Sequence, residues 1–388
     1  MMNLELLHLE HKEKSLEKRY ITNAHIEPIL DKLKSSFEIN VVGKSVLGKP
    51  IYSIIAGKGK TKILLWSQMH GNESTTTKAL FDMLNWLQSD TKEAKAIRDH
   101  FTLCILPILN PDGAKLYTRE NANKIDLNRD AVAQSQPESK VLREVFNTFK
   151  PDFCYNMHDQ RTIFGLETDG RPKPATVSFL APAYNEERAI NNHRQKAINL
   201  IVAMNDTLQN YIPEQVGRFD DSFNINCVGD YFQAAGVPTV LFEAGHYQQD
   251  YEREVTRKFI FFALLSGFHS INENVIVVSK NDEYFNIPQN KNVFYDIIYK
   301  NVNINYENKE KIAIFASQYK EVLFENYVMF QAFIKEINNL DIAVGHAEYD
   351  CKGDRYVGKN GENFPDFDTE ANFFIGSDRK FINGVEVE

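Results

Sequence analysis

Residues 64–73 read Leu-Leu-Trp-Ser-Gln-Met-His-Gly-Asn-Glu: an apolar run ends in a histidine, and a glutamate follows three residues later, ahead of a segment with helical spacing. An imidazole and a carboxylate so spaced can be presented to one point. They are donors that a zinc ion takes at about 2.0–2.2 Å. Two other polar groups also end apolar, strand-like runs: Asn156-Met157-His158-Asp159 and Phe242-Glu243-Ala244-Gly245-His246. In an open α/β sheet, ligands bind beyond the carboxyl ends of the strands. His70, Glu73, His158 and Glu243 are therefore expected to converge on one edge of a sheet. His70, Glu73 and His158 make a two-histidine, one-glutamate set with a fourth position open to water. That is the composition of a catalytic zinc site, because structural sites are usually closed by cysteine. One zinc ion per chain is expected. Glu243 is left to take a proton from a water that zinc acidifies to a pKa of about 7, and to return it later.

Each of these residues has an ordinary structural use as well. The His-Gly-Asn-Glu turn alone would serve as a helix start, with Asn72 as N-cap and Glu73 near the positive end. His158 alone would be a hydrogen-bonded core histidine. Asp159 either orients a metal-bound imidazole or opens the next loop, and His246 and Tyr247 line the site. Compatible donors at several strand ends favour the metal.

The surrounding sequence supplies a scaffold. Residues 1–37 are charged with helical spacing, and 26–37 form the best helix, with Ile26, Leu30, Leu33 and Phe37 on one side and Pro28 in its first turn. Residues 38–42 and 51–56 suit a hairpin. Residues 62–67 are nearly all apolar, as in a central strand covered on both faces. A helix over 74–87 follows, then a strand over 101–108 that ends in the turn formers Asn110-Pro111-Asp112-Gly113. Further on come a helix at 136–149, a strand at 153–157, a polar loop at 159–174, a strand at 177–180, a helix at 186–211, a strand at 239–243 and a helix at 251–269. Strands alternating with helices imply an α/β layer fold with a mostly parallel sheet. After residue 272 the texture changes to short strand-like runs at 275–278, 293–299 and 312–315, separated by Asn- and Lys-rich turns. The expected division is a domain over 1–272 that carries the site and a smaller β-rich domain over 273–388 of unknown role.

Composition narrows the function classes. The 388 residues are 43% hydrophobic and 25% charged, with a net charge of −9. No Lys/Arg cluster of the kind that tracks phosphates stands out, which argues against nucleic acid. No segment approaches the roughly 20 apolar residues that cross a bilayer, and residues 1–10 lack the basic start and apolar run of a secretion signal. Cys104, Cys154, Cys227 and Cys351 form no CxxC pair. Buried thiols in a reducing cytoplasm are the expectation.

The order His-x-x-Glu (70–73), Asn-Pro-Asp-Gly (110–113), Asn-Arg (128–129), His158 and Glu243 resembles the zinc carboxypeptidase family of the carboxypeptidase A type, over roughly residues 38 to 270. The resemblance implies a three-layer α/β/α fold with a mixed, mostly parallel sheet of about eight strands. It implies that His70, Glu73 and His158 bind zinc, that Glu243 is the general base and acid, and that Arg119 stabilises the oxyanion. It also implies that Asn128 and Arg129 grip the terminal carboxylate of a peptide, with a cell-wall peptide among the candidates. A guanidinium fork suits a carboxylate, and a fixed cation near the scissile carbonyl stabilises charge that develops in the transition state. Arg129 has the alternative of pairing with Asp126 or Asp130. Phe223 stands where the family often has a mobile tyrosine, which Tyr231 or Tyr247 could replace. Asp159-Gln160 replaces the family's small residue and tyrosine. Asp230 lies about where the family sets side-chain preference, and a carboxylate there favours basic or diamino-acid side chains. Amidases of the aspartoacylase and succinylglutamate desuccinylase type share His-Gly-Asn-Glu and Asp-Leu-Asn-Arg, and they cleave N-acyl amino acids. A small amide is thus the alternative substrate. A binding protein without activity is a third reading, against which the intact donor set speaks.

Overall fold

A computed structural model describes residues 3–274, 278–338, 340 and 344–387. The chain divides into two compact units, Met1–Gln160 with Ala175–Asn290, and Arg161–Pro174 with Lys291–Glu388.

The first unit opens with helices α1 (Leu4–His11) and α2 (Asn23–Leu33), followed by β1 (Glu38–Lys44), β2 (Pro50–Gly57) and β3 (Thr61–Trp66). Helix α2 starts earlier than its apolar spacing suggests, because Thr22 caps it and the Thr22 N–H donates to His25 Nδ1 at 3.1 Å. Pro28 therefore lies inside the helix, beyond its first turn. The chain continues with α3 (Thr75–Leu87), α4 (Lys92–His100), β4 (Phe101–Leu106), α5 (Pro111–Leu116), α6 (Pro137–Phe149) and β5 (Phe153–Asp159). The stretch expected to be a loop over 159–174 contains β6 (Phe164–Leu166) and β7 (Lys173–Pro174), which belong to the second unit. The first unit resumes with β8 (Val177–Leu180), α7 (Asn192–Leu208), β9 (Val216–Arg218), α8 (Val228–Ala234), β10 (Thr239–Ala244), α9 (Glu254–Asn272) and α10 (Asn281–Phe285). Helix α7 begins at 192 rather than 186, because the Asn191 side chain accepts from the N–H groups of His193 and Arg194 at 3.1 and 2.9 Å.

Eight strands form one sheet in the order β1-β2-β4-β3-β5-β10-β8-β9. Strands β4, β3, β5 and β10 run parallel, flanked by the antiparallel pairings β1/β2, β2/β4 and β10/β8. Strand β3 shows the two-sided burial. Ile63 and Leu65 join a core with residues of α3, α7 and α9, while Leu64 and Trp66 join a second core with α6 and α8. The result is the expected α/β/α sandwich with a mixed sheet of eight strands. The chain leaves β3 toward β4 through α3 and crosses from β4 to β5, on the other side of β3, through α6. A crevice between the carboxyl ends of β3 and β5 is what such a reversal produces.

The second unit is built of strands. Strand β11 (Lys291–Asn292) pairs with β6, which pairs with β7. The strands β12 (Phe294–Tyr306), β13 (Lys309–Phe324), β14 (Tyr327–Ile337) and β15 (Val344–Asp350) form a sheet in the order β14-β13-β12-β15. Strands β16 (Tyr356–Gly358), β17 (Phe373–Ile375), β18 (Arg379–Ile382) and β19 (Val385–Val387) form another. Tyr299, Phe315, Phe373 and Phe381 from both sheets share one core. The units divide at 290/291 rather than 272/273, since Tyr284 is buried in the first unit and its hydroxyl accepts from the Ala181 N–H at 3.0 Å. Of the strand expected at 275–278, residues 275–277 lie outside the described residues.

A fully buried ion pair fastens the N-terminal segment to α3 and α9. Arg257 donates to both oxygens of Asp82, at 2.7 and 2.5 Å, and to the carbonyls of Leu16 and Glu13. Arg257→Met leaves Asp82 buried without its cation, and removing one partner of such a pair costs about 3–5 kcal/mol. Both tryptophans, Trp66 and Trp86, are buried in this unit, so urea unfolding followed by tryptophan fluorescence reads the loss. Nearby, Glu254 meets Lys78 at 2.5 Å, Lys12 at 2.8 Å and Arg257 at 3.1 Å. Burial raises its pKa, but Lys78 and Arg257 outweigh this and hold it at about 2. The folded-state value lies below the unfolded one, so this stabilisation is complete above pH 4.5 and is lost as pH falls toward 2. A thermal unfolding series over that range should drop less steeply in Glu254→Gln than in the unmodified protein.

Candidate metal centre

Beyond β3 the chain must reverse sharply. Gln68 takes φ 43°, in the left-handed region, and its buried amide donates to the carbonyls of Ile21 and Gly71 at 3.0 and 2.8 Å. At position 71 only glycine fits, because a Cβ would lie 2.0 Å from the Gly113 carbonyl carbon. The helix then starts after Ser74, not after Asn72, so Glu73 stands ahead of α3 with its carboxylate free to turn inward.

His70, Glu73 and His158 converge and are all buried. Glu73 Oε1 lies 2.8 Å from His70 Nδ1, and Oε2 lies 2.9 Å from His158 Nδ1. The two Nδ1 atoms are 3.1 Å apart. Ligands of a tetrahedral zinc with bonds of about 2.0–2.1 Å lie about 3.3 Å from one another, so these donor atoms are spaced to share one ion. The His158 Nε2 is buried with no hydrogen-bond partner among the described residues. Burial lowers the His70 pKa, but the Glu73 and Asp126 carboxylates outweigh it and raise the value. For Glu73, burial is likewise outweighed by the two imidazoles, and its carboxyl sits well below the usual range. His158 is lowered, chiefly by burial.

The carboxylate that orients an imidazole is Asp126. Its Oδ1 lies 3.0 Å from His70 Nε2, which leaves Nδ1 for the ion. Asp159 does not take that role: it accepts from the backbone N–H and hydroxyl of Thr75, at 3.1 and 2.6 Å, while its own N–H donates to Glu73 Oε2 at 3.1 Å. The sequence offers Asp126 at the head of Asp-Leu-Asn-Arg and as a partner for Arg129, not as the carboxylate behind His70. The available signal was chemical, that a ligating histidine usually donates its other ring nitrogen to a carboxylate.

Arg119 joins the group. It donates to Asp126 Oδ2 at 3.1 Å and to Glu73 Oε1 at 3.3 Å, with its side chain 42% exposed. Glu243 lies opposite His158 in the parallel β10/β5 register. Its Oε2 is buried without a partner among the described residues. Burial first, then the charges of Glu73 and Asp159, push its carboxyl well above the usual range.

Asn128 and Arg129 lie in the short 3-10 turn Leu127–Arg129. Asn128 Oδ1 accepts from the Val228 N–H at 2.9 Å, which leaves its Nδ2 to donate. Arg129 is exposed and, among the described residues, donates to two neutral acceptors, the Asn128 carbonyl at 2.8 Å and Cys227 Sγ at 3.2 Å. It pairs with neither neighbouring aspartate. Asp126 serves His70 and Arg119, and Asp130 accepts from the N–H groups of Ser135 and Gln136 at 2.9 and 3.0 Å.

Asp230 is buried in the first turn of α8, and burial pushes its carboxyl up to about 7 against the pull of the Asn224 N–H and Arg129. Phe223 is half-buried between β9 and α8, and no hydrogen bond or ring contact joins it to the centre among the described residues. Tyr231 is held by Arg143, which lies 3.7 Å over its ring and donates to its hydroxyl at 2.8 Å. Tyr247 packs toward Phe259 with ring centroids 6.1 Å apart. Asn156, two residues before His158, was not singled out from the sequence. Its side-chain amide is fully buried with both polar atoms unpartnered among the described residues, and a Cβ at Gly229 would lie 3.7 Å from its Nδ2.

Residues 22–139 match the family model of the zinc carboxypeptidases. That segment is similar to the zinc carboxypeptidases. Carboxypeptidase SOL1 of Arabidopsis thaliana is 27% identical over 219 residues, 47% of this chain and 43% of that protein. Murein peptide amidase A of Escherichia coli is 32% identical over 101 residues, 26% of this chain and 38% of that protein. The chain thus spans less than half the length of these relatives. In three dimensions the carboxypeptidase A of Helicoverpa armigera aligns with a TM-score of 0.52 at 16% identity, over 70% of this chain and 79% of that one, which establishes the fold. His70, Glu73, Arg119 and Arg129 fall inside the family match. His158 and Glu243 lie beyond it and are tied to the centre by the sheet. The family's metal is zinc, and the three donors fit it.

If Asp126 orients His70, Asp126→Asn should weaken zinc binding about 10–100-fold in chelator competition. Asp159→Asn, whose side-chain oxygen can still accept from Thr75, should weaken it much less.

Proposed function

We propose that the first unit is a zinc-dependent carboxypeptidase that hydrolyses the C-terminal peptide bond of a peptide. The observation that carries this reading is Arg129, an exposed residue whose backbone N–H donates to the carbonyl of Asp126, the residue that meets His70, and whose guanidinium forms no ion pair with a carboxylate among the described residues. A free C-terminal carboxylate supplies what it lacks, in a two-point contact that suits the fork. Asn128 Nδ2 donates alongside.

When bound, zinc supplies a Lewis acid and lowers the pKa of a water to about 7. His70, Glu73 and His158 would hold it, and Asp126 keeps His70 turned with Nδ1 inward. Glu243 accepts the water's proton at its unpartnered Oε2 and delivers it to the departing amine. Arg119, already donating to Asp126 and Glu73, offers its exposed edge to the oxygen of the scissile carbonyl as charge builds there. Asp230 and the unpartnered Asn156 amide favour a polar, amino-bearing side chain at the substrate's C-terminal residue, as a diamino acid has. The likeness to murein peptide amidase A makes a cell-wall peptide one candidate. Four free cysteines suit a reducing compartment, and the cytoplasm is the proposed location.

The test is a mass-spectrometric product screen of zinc-loaded protein against free-terminus peptides, amidated peptides and N-acyl amino acids. Stepwise loss of C-terminal residues from the free peptides alone supports the proposal, and deacylation of N-acyl amino acids alone would replace it with an amidase. Glu243→Gln should keep its zinc and lose turnover. Arg129→Ala should harm cleavage of free-terminus peptides far more than any cleavage of amidated ones, and equal losses would remove Arg129 from carboxylate binding.

A further inference from the structure

We infer that Arg253 is a positioning residue that fixes the spacing of Glu243 from His158; its kinetic consequence rests on the carboxypeptidase reading above. His158 and Glu243 face one another across the parallel β5/β10 ladder, and Asp159 and Ala244 form its last rung. There both strands leave the sheet, and the carbonyls at the end of a ladder need donors from elsewhere. Arg253 provides them. Its Nη1 donates to the Ala244 carbonyl and its Nη2 to the Gln160 carbonyl at 2.5 Å. The Ala244 carbonyl also accepts from the Gln160 N–H at 2.9 Å. One rigid fork thus spans the two strands, one step beyond the rung that carries the proton acceptor and a metal donor.

The setting of Arg253 is costly for a merely convenient contact. Its side chain is 1% exposed although it carries a full charge, and its backbone takes φ 58°, a conformation that favours glycine. It is anchored from behind. The Arg253 N–H donates to the Asp250 carbonyl at 3.1 Å, and the Asp250 carboxylate receives the first N–H groups of α9, from Glu254 at 3.0 Å and Val255 at 2.7 Å. The body of the sheet does not depend on this fork, since β5 and β10 are held by their own ladder and by a shared core on one face, with β5 joining a second core on the other. Loss of the guanidinium should therefore loosen the strand ends while the fold persists. A misplacement of about 1 Å between reacting groups costs about 100-fold in rate.

Arg253→Met and Arg253→Lys test this. The expected results for Arg253→Met are a cooperative thermal transition, one zinc per chain, little change in KM and a fall in kcat of about 100-fold. Lysine can reach one carbonyl only, so Arg253→Lys should recover little of the rate. A readout independent of turnover is the visible spectrum of the cobalt(II)-loaded protein, which should shift as His158 moves relative to His70. Recovery of the full rate by lysine would reduce the role to charge and overturn the inference. So would a folded Arg253→Met with unchanged spectrum and unchanged kcat. Should Arg253→Met fail to fold, Arg253→Lys and Arg253→Gln carry the same readouts. An unmodified protein that cleaves no peptide would sink the carboxypeptidase reading, and the cobalt spectra would still decide the role of Arg253.

Discussion

The two oxygens of Glu73 face two different imidazoles, at 2.8 and 2.9 Å, and the imidazole nitrogens themselves lie 3.1 Å apart. Three polar side chains crowded together away from water are expensive unless something compensates them. Two ring nitrogens so close need a cation or a shared proton between them, because two lone pairs cannot satisfy one another. The surrounding fold is arranged around that demand. Adjacent parallel strands β3 and β5 end side by side, which, with the turn after β3, brings together His70 and His158 from 88 positions apart. Asp126 then takes the outer nitrogen of His70, and the Asp159 N–H takes an oxygen of Glu73.

The turn that carries His70 is braced by a part of the chain that looks unremarkable in sequence. The Ile21 carbonyl receives the Gln68 amide, and the Arg19 carbonyl receives the Ser74 hydroxyl at 2.6 Å. These contacts hold the two sides of the His70–Glu73 turn. The segment stays in place because Arg257 grips the carbonyls of Glu13 and Leu16 while paired with Asp82. A left-handed Gln68 is tolerable in such a cage, where several contacts determine one conformation. Stability and site geometry therefore share the same residues.

What could be read from the sequence was whatever depends on neighbours along the chain. The apolar runs of β3, β4 and β10, the His-x-x-Glu spacing and the strand-end position of His158 all follow from period and local order. The α/β/α class followed from their alternation. Asp126 could not be assigned this way, because its use depends on an approach to His70 across 56 positions. Asp159 was the nearer candidate in sequence, yet its side chain meets Thr75. The start of α2 turned on a histidine acting as a cap, a role more usual for glutamate or glutamine. The division between units was obscured because residues 161–174 leave the first unit and return, and because the polar stretch near 284 still contributes a buried tyrosine to it.

The arginines of the first unit differ in what they meet. Arg194, Arg253 and Arg257 are buried and surrounded by carbonyls or carboxylates. Arg129 is exposed and, among the described residues, donates to a carbonyl and a thiol. The chain has nine more acidic than basic residues (53 against 44), so a carboxylate partner is not scarce. Both aspartates next to Arg129 are instead committed elsewhere, Asp126 to His70 and Arg119, Asp130 to the backbone that opens α6. On the carboxypeptidase reading, this guanidinium, in an acidic protein, is left to meet an anion from outside the chain. The carboxylate at the end of a peptide, planar and with two acceptor oxygens, suits such a fork.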